Sequence, residues 1–312
     1  MGDLNHPTGP EQINAEPSAQ VGFFQFKRLV GDFFESPIAT ISLVGVVLIL
    51  LCAVGAPWIA PTNPYDLATI DILDSRLKPG EQSMMTGFTF TLGSDGLGRD
   101  ILSAIIYGLR TSLFVGLTSG CIGFCVGCTI GMISAYVGGR VDTLIMRVVD
   151  LQLSFPTILI ALVLMATLGQ GVGNIILALV IAQWAYFARA MRGAVLVERG
   201  KEYVEAAACL GFSHSLILRQ QLLPNCLPPM IVIGTVQIAH AIALEATLSF
   251  LGVGLPITEP SLGLLIANGF QYILSGSYWI SVYPGIALLL TVAAINLVGD
   301  RLRDIQNPRL QR

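Results

Sequence analysis

RGKEYVEAAACLGFSHSLILRQQLLP, residues Arg199 to Pro224, is a polar insert in an otherwise apolar chain. It reads as two short helices, 201–209 and 213–222, on either side of one glycine, with Pro224 closing the second. Gly211 suits the left-handed position at which a helix stops, and Ser213 suits the N-cap of the next one. Leu210 and Phe212 flank that turn as apolar side chains on a polar loop. Connections between packed elements are short unless they carry function, so this stretch is the expected contact surface of the chain.

The rest of the chain fixes its solvent. The 312 residues are 54% hydrophobic and only 12% charged, with a mean hydropathy of +0.72. A soluble domain carries about 25% charged residues. That shortfall, together with apolar runs of about 20 residues, puts the chain in a bilayer. No basic cluster offers itself to nucleic acid, and the net charge is -3. The six cysteines fall in or at the ends of expected spans, so no disulfide framework is implied.

Residues 1–21 are polar and read as a disordered cytoplasmic tail. In 22–37, Phe23, Phe26, Val30 and Phe33 recur at helical spacing among charged residues, which predicts an amphipathic helix on the membrane surface. The run 38–60 is too long for a signal-peptide core and is expected to remain as the first span. An extracytoplasmic insert is expected over 61–111. A membrane core then fills 112–312, with spans at 112–137, 144–168, 174–192, 228–253 and 281–299 and the polar loop at 199–224. Of the 17 Lys and Arg residues, all but Arg76, Lys78, Arg99 and Arg110 lie on one side of this arrangement. Basic residues mark the cytoplasmic side, so both termini and the 199–224 loop are expected in the cytoplasm.

Several residue patterns invite a chemical reading. Cys121, Cys125 and Cys128 have the spacing of some iron–sulfur ligands, but inside a membrane helix cysteine is an ordinary small apolar residue, and no metal site is expected. Gly116, Gly120, Gly123, Gly127 and Gly131 recur every three or four residues and form one smooth helix face. Such a face lets a neighbouring backbone approach closely, within the core or against a partner. Asp150 and Glu245 are acidic residues within spans, each costing roughly 2.5–3.5 kcal/mol at a helix centre. Asp150 could pair with Arg147 at i−3. Glu245 has no base within a helical turn and is the better candidate for a translocation path. Gly200-Lys201 is followed by Glu202 and lacks the upstream glycine of a phosphate loop, so no ATPase and no catalytic residues are expected in this chain.

Four motifs, in order, then carry a resemblance. Glu205-Ala206-Ala207, Gly211 and Leu222-Leu223-Pro224 resemble the EAA loop of ABC importer membrane subunits. Leu92-Gly93-Ser94-Asp95, Gly98-Arg99-Asp100 and Tyr107-Gly108 with Arg110 look like the segment before the second span in dipeptide-type second permeases. Pro228-Pro229 with Ser249-Phe250-Leu251-Gly252-Val253-Gly254, and Asn296-Leu297-Val298-Gly299-Asp300, complete the set. Together they resemble the dipeptide, oligopeptide and nickel importer family. The resemblance implies an all-α fold of six transmembrane helices, the type I ABC importer permease. It implies a multi-pass subunit of the bacterial inner membrane, with Glu205, Ala206, Ala207, Gly211 and Pro224 docking an ATPase. It also implies a second homologous permease, two ATPases that bind the ATP and Mg, and an extracytoplasmic substrate-binding protein. A gradient-driven transporter, with Asp150 and Glu245 relaying protons, would give no reason for the Glu-Ala-Ala–Gly loop.

Overall fold

A computed structural model describes residues 31–66, 70–83 and 85–306. The expected tail 1–21 and residues 22–30 of the expected surface helix lie outside the described residues. Of that helix, 31–34 are helical, and Phe33 packs on Ala39 and Ile305.

The chain is all-helical, and among the described residues its only β-pairing is two isolated bridges in the 82–100 segment. The principal helices are α1 (Pro37–Val54), α2 (Ile101–Val137), α3 (Gly139–Leu153), α4 (Thr157–Leu168) and α5 (Val172–Arg199). They are followed by α6 (Glu202–Cys209), α7 (His214–Phe250), α8 (Leu262–Phe270) and α9 (Trp279–Gln306). Among the described residues, five helices are long and apolar enough to cross a membrane, or up to six if the bent pair α3–α4 counts as one span.

Several expected boundaries move, each for a local reason. The second helix begins at Ile101, not at 112, so the last residues of the expected insert 61–111 belong to the core. Asp100 caps it, with Oδ2 accepting from the Ser103 amide at 2.9 Å and the Ser103 hydroxyl at 2.6 Å. Its first turns carry serine, tyrosine and arginine, which depress hydropathy, yet Ile101, Ala104 and Ile105 are buried against Trp279 and Ile280. The expected span 144–168 is broken: α3 and α4 meet at 87°, with Pro156 as the N-cap of α4. Proline has no N–H to continue the helix before it.

Pro224 does not close a helix. The segment runs unbroken from His214 to Phe250 through Pro224, Pro228 and Pro229. A π-helical turn at Ile217–Leu222 precedes Pro224. Such a turn shifts the hydrogen-bond register just where proline withholds a donor. The loop's second helix is therefore the first part of a membrane helix. Further on, the connection 254–280 contains α8, with Ser261 accepting from the Leu264 amide as its N-cap.

The bundle has two ends. At one lie Val137, Arg199, His214 and Gln306; Gln306 Nε2 donates to the Pro228 carbonyl at 3.0 Å. At the other, Asp95 organises a compact cap: its Oδ1 accepts from the amides of Leu97 and Arg99, both at 2.9 Å, and its Oδ2 from Arg99 Nε at 2.7 Å. Arg99 and Asp95 are both buried. Trp279 Nε1 donates to the Ser94 carbonyl at 3.3 Å, fastening the cap to the start of α9.

Candidate functional site

The 199–224 loop is tied to the ends of three long helices. Arg199 Nη1 donates to the carbonyls of Ala135 and Tyr136, each at 3.0 Å, so a cation of α5 caps the C-terminus of α2. A cation there satisfies orphan carbonyls and meets the negative end of the helix dipole. Tyr136 Oη lies 2.6 Å from Nδ1 of His214, at the first turn of α7.

Glu198 forms the second tie. Its Oε1 accepts from Lys201 Nζ at 2.8 Å and from Tyr203 Oη at 2.6 Å. The Tyr203 hydroxyl in turn accepts from Asn225 Nδ2 at 3.1 Å, and the same nitrogen donates to the Gln221 carbonyl at 2.6 Å. One connected set thus spans α5, α6 and α7. Burial, and then the hydrogen bond to the Glu198 carboxylate, push the Tyr203 phenol up to about 12.

The turn itself is built on Gly211. Its φ is +78°, the Phe212 amide donates to the Ala207 carbonyl at 3.2 Å, and the Gly211 amide to that of Ala208 at 3.0 Å. This pair of bonds is the Schellman arrangement, which needs a left-handed residue at that position. The Leu216 amide donates to Ser213 Oγ, so Ser213 is the N-cap the sequence suggests. α6 turns Val204 and Ala207 inward onto Met191, Val195, Ile217 and Leu222. Glu205, Ala206, Gly211 and Pro224 are exposed, and Leu210 is 75% and Phe212 43% exposed beside the turn. The result is a two-helix shelf with small side chains, a carboxylate and an apolar tip outward.

The glycine face meets two helices. A Cβ at Gly116 or Gly120 would lie 2.4 or 2.7 Å from Ile242 or Ile238 of α7. At Gly127 it would lie 2.4 Å from the Trp184 carbonyl, and at Gly131 2.2 Å from that of Ala188, both on α5. Gly123 differs, because a Cβ there meets only Phe187, at 3.6 Å. Lipid tails are as apolar as the core, so this close approach, not burial from water, is what holds the helices together.

The two acidic candidates part company. Glu245 is fully buried; Ser112 Oγ of α2 donates to its Oε2 at 2.8 Å and Ser249 Oγ to its Oε1 at 2.7 Å. α2 and the start of α8 enclose it in this conformation. Ser112 also accepts from the Leu262 amide at 3.4 Å, so Glu245 ties α2, α7 and α8. Asp150 pairs with Arg189 of α5, not with Arg147, and both side chains of that pair are more than half exposed. α3 lies across α5, which brings Arg189 to it. A tighter pair escaped notice in the sequence: Arg192 Nε and Nη2 each lie 2.6 Å from a carboxylate oxygen of Asp142, which also accepts from Ser134. Nothing in the spacing marks this pair, nor Glu198 with Tyr203 and Asn225, because each joins different helices.

A bundle of long apolar helices, with a folded shelf where two of them turn, is the architecture of a transport permease. A solved structure of the MetNI methionine ABC transporter, described as inward facing, matches with a TM-score of 0.55 at 22% identity, over 66% of this chain and 98% of that one. That likeness concerns the fold, which is that of a type I ABC importer permease. Residues 127–312 match the family described as the binding-protein-dependent transport system inner membrane component, and the chain belongs to it. Residues 25–79 match the N-terminal TM domain of oligopeptide transport permease C. The chain is 39% identical over 273 residues to the dipeptide transport system permease protein DppC of Escherichia coli (strain K12), covering 88% of this chain and 89% of that one. It is 37% identical to the di/tripeptide transport system permease protein DppC of Pseudomonas aeruginosa (strain UCBPP-PA14), covering 86% and 87%. To the dipeptide transport system permease protein DppC of Bacillus subtilis (strain 168) it is 34% identical, covering 97% of each.

Proposed function

We propose that this chain is one of two homologous membrane subunits of an ATP-driven importer for dipeptides or short oligopeptides. The observation that carries the reading is the shelf at 199–224, whose small, acidic and apolar groups face away from the bundle while its base is bonded to α2, α5 and α7. Leu210 and Phe212 stand exposed on either side of Gly211, an apolar pair suited to contact with a partner. Its partner in this reading is a cytoplasmic ATPase, which holds the ATP and Mg; a second ATPase serves the other permease. An extracytoplasmic binding protein delivers substrate to the opposite end. Closure of the ATPases draws the shelves together, and the helices switch between inward- and outward-facing arrangements. Two open clefts along the α7–α9 face support a passage there. One of about 600 Å³ includes Pro229, Gln237 and Arg303, and one of about 410 Å³ includes Thr247, Ile266 and Leu289. The peptide substrate rests on the relatives named above.

Two measurements test this. In a background without the native cysteines, a cysteine at Gln82 should react with a membrane-impermeant thiol reagent from outside, and one at Ser215 only after the membrane is opened. Both positions are exposed. The chain, expressed with its neighbouring genes, should co-purify with ATPase subunits and take up dipeptide in vesicles only with ATP. Gradient-driven uptake by the chain alone would overturn the reading.

A further inference from the structure

The docking shelf is useful only if its displacement reaches the spans, and α6 is joined to its neighbours by thin connections. Gly200 and Lys201 separate it from α5, and Leu210 to Ser213 separate it from α7. Two-residue and four-residue links let a short helix pivot unless side chains prevent it. The apolar contacts of Val204 and Ala207 seat α6 but do not fix its rotation, since such contacts are non-directional.

We infer that Glu198, through Tyr203 and Asn225, is the pin that makes α6 move as one body with α5 and α7, and so is a positioning residue for energy coupling. The inference rests on the proposed docking role of the shelf and goes beyond it by saying which bonds transmit the movement. Glu198 belongs to the last turn of α5 and is 9% exposed. Its Oε1 holds both Lys201, at the entry to α6, and Tyr203, in the first turn of α6. The Tyr203 hydroxyl then receives Asn225 from α7, and Asn225 is itself held by the Gln221 carbonyl in the π-helical turn. Drawing α6 away from α5 or from α7 therefore strains a directional bond. Hydrogen bonds to a charged group are the strong kind, and the tyrosine sits at the centre of the set as donor to one helix and acceptor from another. The π-turn at Ile217–Leu222 lies within the same connected group.

The experiment uses the whole complex in reconstituted vesicles, with dipeptide uptake and ATP hydrolysis measured together, beside assembly judged by co-purification. Wild type comes first: if it brings no ATPase and shows no ATP-dependent uptake, the proposed function fails and the pin is not at issue. Given a coupled wild type, Tyr203→Phe, which removes one oxygen and keeps the ring, should assemble normally and lower uptake per ATP hydrolysed by about tenfold, the factor that a bond of about 1.4 kcal/mol represents. Glu198→Ala should do the same. The Glu198→Ala, Tyr203→Phe double variant should be no worse than the more damaged single, because both cut one set. Normal coupling in Tyr203→Phe overturns the inference. So does a double variant whose losses multiply. A loss of assembly in Tyr203→Phe would also overturn it, making the set a folding contact and not a transmission.

Discussion

The seam between α2, α5 and α7 and the shelf at 199–224 are built on opposite plans. In the seam, backbone meets backbone: Gly127 and Gly131 admit carbonyls of α5, and Gly116 and Gly120 admit isoleucines of α7. Shape does the holding there, and Glu245 with its serines adds one internal polar tie. The turn of the shelf has little interlocking shape. Gly211 has no atom within 4 Å of where a Cβ would stand, and its neighbours Leu210 and Phe212 are exposed. The shelf's inner side packs Val204 and Ala207 on Met191 and Val195, while its outer turn is fixed by backbone conformation and by a few directional bonds at its base. The seam should therefore answer to volume and fail by disassembly, whereas the shelf should answer to backbone angle and polar bonds and fail by uncoupling.

The largest expected effect is in the seam. Gly127→Leu must place its Cβ 2.4 Å from the Trp184 carbonyl oxygen, main chain that yields little, at a cost of about 3 kcal/mol, the upper end of ordinary overpacking. The variant should lose its partners on purification and be degraded. Gly123→Ala, on the same face but in ordinary contact with Phe187, should assemble as wild type. Equal tolerance of both would mean that the close approach at Gly127 is not what holds the seam.

Next comes Glu245→Leu. It strands the Ser112 and Ser249 hydroxyls in a dry interior, each unmade bond costing about 1–3 kcal/mol. Thermal stability of the purified complex should fall, while Glu245→Gln, which keeps an acceptor, should fall much less. Equal melting temperatures for the two would show that the tie carries no load.

Gly211→Val is the corresponding test in the shelf. A β-branched residue at φ +78° costs on the order of 1–2 kcal/mol, and it adds bulk at the exposed turn proposed to seat the ATPase. Assembly of the membrane helices should be normal, but uptake and substrate-stimulated ATP hydrolysis should drop together. Glu205→Lys should do likewise by reversing charge on the exposed side. Loss of membrane insertion instead would blur the contrast between the two regions.

A smaller effect is a matter of pH. The Tyr203 phenol is held near 12, above its ordinary value of 10.0, so the folded shelf binds that proton more tightly than the unfolded chain does. Its contribution is complete below about pH 10 and is lost as pH rises through 10 to 12. Proteolysis of the loop should thus be flat from pH 6 to 9 and accelerate above 10, and Tyr203→Phe should abolish the acceleration. Smallest is Asp150→Asn. Its pair with Arg189 is more than half exposed, so stability should change by no more than about 0–1 kcal/mol and uptake should stay near wild type.

Much was legible beforehand because it is written in local pattern. The apolar runs, the spacing of the glycines, the position of Gly211 in a left-handed turn and Ser213 as the next cap all depend on residues within a few positions of one another. The misplacements have a common cause. Ile101 to Leu109 is itself apolar, but Arg110 interrupts the run, and only the structure shows that the helix begins at Ile101 with its buried side on Trp279. Pro224 reads as a stop because a π-helical turn is invisible in composition. Asp150 has its nearest base in sequence at Arg147, but the base it meets, Arg189, comes from another helix.

The sequence by itself determined that this chain lives in a membrane, that it is helical, and that one polar loop with a left-handed turn interrupts its apolar spans. Those properties follow from transfer energy, periodicity and backbone conformational preference, which act residue by residue. Only the tertiary structure decided which carboxylates are ties between helices: Glu245 among serines of α2 and α7, Asp142 with Arg192, Glu198 with Tyr203 and Asn225. Those roles depend on how helices cross, and crossing is settled by the close approach of distant glycines and carbonyls, a condition that no window of sequence contains.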